Sequence, residues 1–137
     1  IAPFVHLIHG VDSERLLAEI NKQGAKNIRV IDVLIQLHIA EESSKFGFSY
    51  EEVATLFSNE NQFPNVRIVG LMGMATFTED KNQITREFET LSAFYNTWKA
   101  EKSLSVLSMG MSNDYPIAIA SGSNMIRIGS LIFGQRN

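Results

Sequence analysis

Ser108-Met109-Gly110-Met111-Ser112-Asn113-Asp114-Tyr115, followed by Met125-Ile126-Arg127-Ile128-Gly129-Ser130 and then by Ile132-Phe133-Gly134, is the stretch that decides the fold. Two short runs of β-branched or apolar residues each end in glycine and serine. Consecutive strands of an α/β barrel present backbone N–H groups to a phosphate in this way. A phosphorylated ligand is implied.

Upstream of this stretch, apolar runs alternate with segments of helical periodicity, the pattern of βα units around a parallel sheet. The expected strands are Val5–His9, Val33–Ile39, Arg67–Leu71, Ser105–Ser108 and Met125–Ile128. Asp12 or Ser13 can cap a first helix whose apolar face is Leu16, Leu17 and Ile20. Ser49-Tyr50-Glu51-Glu52 reads as a capping box, with Phe48 and Val53 placed as a hydrophobic staple. Asp80, with Gln83 three residues later, opens a long helix carrying Ile84, Phe88, Leu91, Tyr95 and Trp98 on one face. Asp114-Tyr115-Pro116 starts a short fourth helix and Gly122 ends it.

Five βα units fit either an open parallel sheet with a topological switch point or part of a closed barrel. A complete (β/α)8 barrel needs about 200 residues or more, whereas the chain has 137. Two features favour an incomplete barrel: Ile1 leads almost directly into a strand, and the phosphate-type loops follow the last two strands, where barrels keep such sites. The expected class is therefore α/β, the C-terminal part of a (β/α)8 TIM barrel, as a single domain over residues 1–137.

Composition narrows the function. The chain is 45% hydrophobic and 20% charged with a formal charge of -3, and its lysines and arginines are scattered, which argues against nucleic acid. There is no cysteine, so neither a disulfide framework nor a thiolate zinc site exists. No apolar run reaches the roughly 18 residues of a membrane span and no signal-peptide pattern opens the chain, so a cytoplasmic setting is expected. The sequence carries no GxSxG elbow, no Walker loop and no nucleophile with an evident base, and no catalytic residue is assigned.

Gly110 lets backbone approach an anion closely, and Ser112 offers a hydroxyl just ahead of a helix start; Gly129 and Ser130 repeat the arrangement one strand later. Either loop alone is equally well read as a tight turn with a capping serine. Arg127 alternates with Ile126 and Ile128 and so shares a face with Met125 and Gly129, the barrel interior. An arginine there needs an acceptor: an internal carboxylate such as Asp32, or a ligand atom beside the phosphate. His6, His9 and His38 fall on expected strands with no metal-binding spacing, and structural roles are assigned to them. Glu41, Glu42, Glu51 and Glu52 read as solvated or capping carboxylates.

The two C-terminal motifs together resemble the YggS/PROSC family of pyridoxal 5'-phosphate (PLP) homeostasis proteins. Further matches are His6-Leu7-Ile8-His9-Gly10-Val11-Asp12-Ser13, Val33-Leu34-Ile35-Gln36-Leu37, Lys45-Phe46-Gly47-Phe48 and Gly70-Leu71-Met72-Gly73-Met74. The family pattern usually carries asparagine where His38 stands. The resemblance implies a barrel of the alanine racemase N-terminal type, of which this chain covers about strands four to eight. It implies that Ser112 binds the cofactor phosphate, with Gly110 in the same loop. It makes Gly129 and Ser130 the second phosphate loop and points Arg127 at the pyridine nitrogen. It also implies a PLP-binding role in storage or delivery. The family lysine that holds the cofactor covalently lies upstream, and none of Lys22, Lys26, Lys45, Lys81, Lys99 and Lys102 matches it. The implied partners are PLP and PLP-dependent apoenzymes. An incomplete barrel has open sheet edges, so self-association or a bound N-terminal piece is expected as well. An amino-acid racemase of the same fold is the alternative function, and a phosphosugar-binding or flavodoxin-like module is a third.

Overall fold

A computed structural model of the chain describes residues 7–41, 47–59 and 62–127. Its elements run β1 (Leu7–Val11), α1 (Glu14–Lys26), β2 (Ile31–Leu37), α2 (Tyr50–Ser58), β3 (Val66–Gly73), α3 (Lys81–Lys102), β4 (Val106–Met109) and α4 (Tyr115–Ala120). The four strands form one parallel sheet in the order β1-β2-β3-β4. Sequential parallel order with a helix after each strand is the arrangement of a barrel wall. An open sheet with a switch point would reverse direction, and among the described strands none does.

The expected elements are present with shifted ends. Met125 pairs with Ser108 in an isolated parallel bridge, so the fifth expected strand begins beside β4, while its end at Ile128 lies outside the described residues. Val5 and His6 lie outside them too. Ser13 rather than Asp12 caps α1, accepting from the Leu16 N–H. Leu17 and Ile20 are buried beneath that helix, whereas Leu16 lies on the edge of the stripe and is exposed.

The Ser49 and Glu52 capping box at α2 is complete in both directions, and Phe48 and Val53 are buried beside it. Asp80 caps α3, but the Gln83 side chain reaches on to Glu87 instead of back to the cap. Asp114 precedes α4 without capping it, because its carboxylate accepts the Met111 N–H at 2.7 Å.

One face of the sheet carries the core. Val33, Ile35 and Leu37 of β2, Leu71 of β3 and Leu107 and Met109 of β4 meet Leu17, Val53, Phe88 and Leu91 from the helices. The alternating residues therefore belong to the opposite, inner face. Gly70 brings β3 and β4 together on it, since a Cβ there would collide with the Val106 backbone.

Candidate functional site

Parallel register stacks the inner-face residues into layers. Gln36 pairs with Met72, Met72 with Ser108, and Ser108 with Met125. Two residues further along lie His38, Met74, Gly110 and Arg127, at the C-terminal ends of the strands. The Arg127 N–H donates to the Gly110 carbonyl at 3.0 Å, which sets this residue beside the loop after β4.

The Met125–Arg127 segment is held by two residues that sequence reasoning missed. Asn124 accepts the Leu107 N–H at 2.8 Å and donates to the Ser105 carbonyl at 2.9 Å. The Ser123 hydroxyl lies 2.7 Å from the Met109 carbonyl and 2.8 Å from that of Met125, able to donate to one at a time. The signal available for them was the Gly122-Ser123-Asn124 cluster, which reads only as a turn.

Arg127 is the chemically exposed point of this layer. Its Nε and Nη2 are buried, and neither has a hydrogen-bond partner among the described residues; the buried Ser108 Oγ has none either. Burial lowers the Arg127 pKa, and the nearby Asp114 carboxylate opposes that shift. A guanidinium remains charged under such conditions and therefore needs an acceptor.

Asp32 is not that acceptor. It is held by Arg67, with Nε to Oδ1 at 2.7 Å and Nη2 to Oδ2 at 2.9 Å. Asp32 pairs in register with Arg67 near the start of β3, six residue levels below Arg127, or about 20 Å at the rise of a strand.

Gly110 has φ +104, and a Cβ there would sit 2.8 Å from the Ala118 Cβ and 3.2 Å from the Ile126 side chain. The close approach that requires glycine is thus that of α4 and the following strand segment. Ser112 is half-buried in the turn between β4 and α4. That turn is pinned by the Tyr115 N–H on the Met111 carbonyl at 2.9 Å and by the Asp114 carboxylate on the Met111 N–H. Gly129 and Ser130 lie outside the described residues. His9 is exposed rather than a core histidine, and His38 is half-buried. Among the described residues no three His, Cys, Asp or Glu side chains converge as a metal site, and no helix is long and apolar enough to cross a membrane.

A cleft of about 410 Å³ opens at this end of the sheet and draws its walls from the loops after all four strands: Asp12, His38, Met74, Phe77, Met111 and Asn113. A second cleft, of about 380 Å³, lies at the opposite end against Phe57, Phe63, Arg67 and Lys102. Barrels of this kind place ligand chemistry at the C-terminal ends of their strands, which selects the first.

The family model described as alanine racemase, N-terminal domain, matches residues 2–137. The chain belongs to this family. It is 37% identical over 134 residues to the pyridoxal phosphate homeostasis protein of Aquifex aeolicus, covering 96% of this chain and 59% of that protein. PipY of Synechococcus elongatus superposes with a TM-score of 0.83 at 27% identity, over 93% of this chain and 61% of that one. A structure of PipY with PLP bound superposes at 0.75, over 93% and 60%. The alanine racemase of Clostridium difficile, at 14% identity and a TM-score of 0.68 over 95% of this chain and 34% of that enzyme, shares the fold alone. The chain thus spans about three-fifths of the length of these two relatives.

Proposed function

We propose that this chain is part of a pyridoxal 5'-phosphate binding protein that stores or delivers the cofactor in the cytoplasm, and that residues 1–137 form an incomplete barrel domain of that protein. The observation that carries the reading is Arg127. Its buried Nε and Nη2, without a partner among the described residues, lie on the inner face at the C-terminal end of the sheet, where a ligand acceptor is the missing element.

The residues fit the cofactor. Ser112 with the Gly110 backbone would hold its phosphate, joined by Gly129 and Ser130, and Arg127 would face the pyridine nitrogen. The cofactor supplies an aldehyde and an electron-accepting ring. Arg127 keeps its own protons, so it would donate a hydrogen bond to the ring nitrogen without giving it a proton. The ring would then draw electrons less strongly, which suits a carrier or a racemase confined to limited carbanion chemistry. The apolar rim of Met74, Phe77 and Met111, all exposed, surrounds the cleft that the cofactor would leave on its way to an apoenzyme. The outer edge of β1 has no strand beside it among the described residues, and it supports association with a second copy or with a further segment of barrel.

Fluorescence titration of the full-length protein with PLP tests the binding reading: saturable quenching supports it, and a flat titration refutes it. Racemisation of alanine at background rates is expected from a carrier. Turnover at ordinary enzymatic rates would assign a racemase instead.

A further inference from the structure

Glu87 on α3 is buried, 3% exposed, and has no Lys, Arg or His paired with it among the described residues. Its Oε1 accepts the Thr76 N–H at 2.6 Å. Its Oε2 accepts the Thr76 hydroxyl at 2.7 Å, the Glu41 N–H at 2.8 Å and the Gln83 Nε2 at 3.2 Å. The Glu41 N–H also lies 3.0 Å from the Thr76 hydroxyl. A buried carboxylate is costly unless donors surround it. Three of these four donors come from two loops, one following β2 and one following β3.

Those loops make the mouth of the ligand cleft. His38, Ile39 and Ala40 lead directly into Glu41, and Met74, Ala75 and Phe77 flank Thr76. Arg86, one residue before Glu87, pairs with the Glu41 carboxylate from outside at 3.3 Å and leaves the buried carboxylate to the uncharged donors of Thr76, Glu41 and Gln83. An apolar side chain at residue 87 would be buried beneath α3 but would leave the Thr76 and Glu41 N–H groups without this acceptor.

We propose that Glu87 is a positioning residue: it locks the loops after β2 and β3 to each other and to α3, and thereby sets the affinity of the cleft for PLP. The proposal rests on the cofactor reading of that cleft. Glu87→Gln keeps the shape but replaces one acceptor oxygen with a donor, so the Thr76 and Glu41 amides compete for a single carbonyl.

In the full-length protein E87Q is expected to raise the dissociation constant for PLP roughly tenfold. It should also alter the circular dichroism band of bound PLP and speed hydrogen exchange at Thr76 and Glu41. Leu56→Ala, a cavity under α2 beside the cleft at the opposite end of the sheet, provides the comparison: it lowers the melting temperature and leaves PLP affinity and the bound-cofactor band unchanged. Equal affinity in E87Q and wild type, or an L56A loss matching that of E87Q, overturns the proposal. If wild type fails to bind PLP, the cofactor reading falls. Exchange at Thr76 and Glu41 then decides the loop lock alone: faster exchange in E87Q upholds it and unchanged exchange removes it.

Discussion

The Arg127 N–H donates to the Gly110 carbonyl at 3.0 Å, and this one bond ties the arginine of the last described segment to the loop after β4. The main-chain N–H is satisfied while the guanidinium Nε and Nη2 stay buried without a partner among the described residues. A site of this kind trades stability for binding, and the trade can be measured.

Arg127→Met removes a half-buried charge whose Nε and Nη2 have no acceptor among the described residues. It is expected to leave the melting temperature unchanged or higher while weakening PLP binding about tenfold to a hundredfold, the range of a hydrogen bond to a charged group. Calorimetry and PLP titration of the full-length protein check the two halves separately. A large loss of stability would show that Arg127 has a structural partner.

Gly110→Ala places a Cβ at φ +104, 2.8 Å from the Ala118 Cβ. The left-handed backbone and the contact together predict destabilisation of about 1–3 kcal/mol. Denaturant unfolding measures it, and a neutral result would mean that α4 can move away freely.

Tyr50 provides an alkaline signature. Burial, and then the charge of Glu87, push its phenol up to about 12 from 10.0. The native state keeps a proton that the unfolded chain releases at the lower value, so stability should fall as pH rises between the two. Tyr50→Phe should flatten that stretch of the stability–pH curve.

Glu87 behaves in the opposite sense. Burial works against its charge, but the Thr76, Glu41 and Gln83 donors outweigh burial and hold its carboxyl below the usual value. The unfolded chain binds a proton before the native state does, so the contribution is present above the ordinary glutamate pKa of about 4.3 and is lost as pH falls below it. Urea unfolding across that acid range should show a steeper loss for wild type than for E87Q.

The architecture was legible where the signals are local. The Ser49 and Glu52 box lies within one helical turn, and the alternation of Arg127 with Ile126 and Ile128 placed its side chain opposite the core face. What escaped depends on contacts across the chain. Nothing near Glu87 announces that its acceptors serve Glu41 and Thr76, 46 and 11 residues away. Asp32 was a reasonable partner for Arg127 until the register put it opposite Arg67. Gly110 was read for an anion, while the structure supplies a packing reason for it in Ala118 and Ile126.

A crystal structure of the full-length protein with PLP tests the central claim most directly. Cofactor density is expected at the C-terminal ends of the strands, beside the cleft of about 410 Å³ that Met111, Asn113 and Asp114 line, with phosphate at Gly110 and Ser112 and the ring nitrogen within hydrogen-bond reach of Arg127. Density at the opposite end, against Arg67 and Lys102, or a cofactor bound with Arg127 turned away from it, would contradict the account.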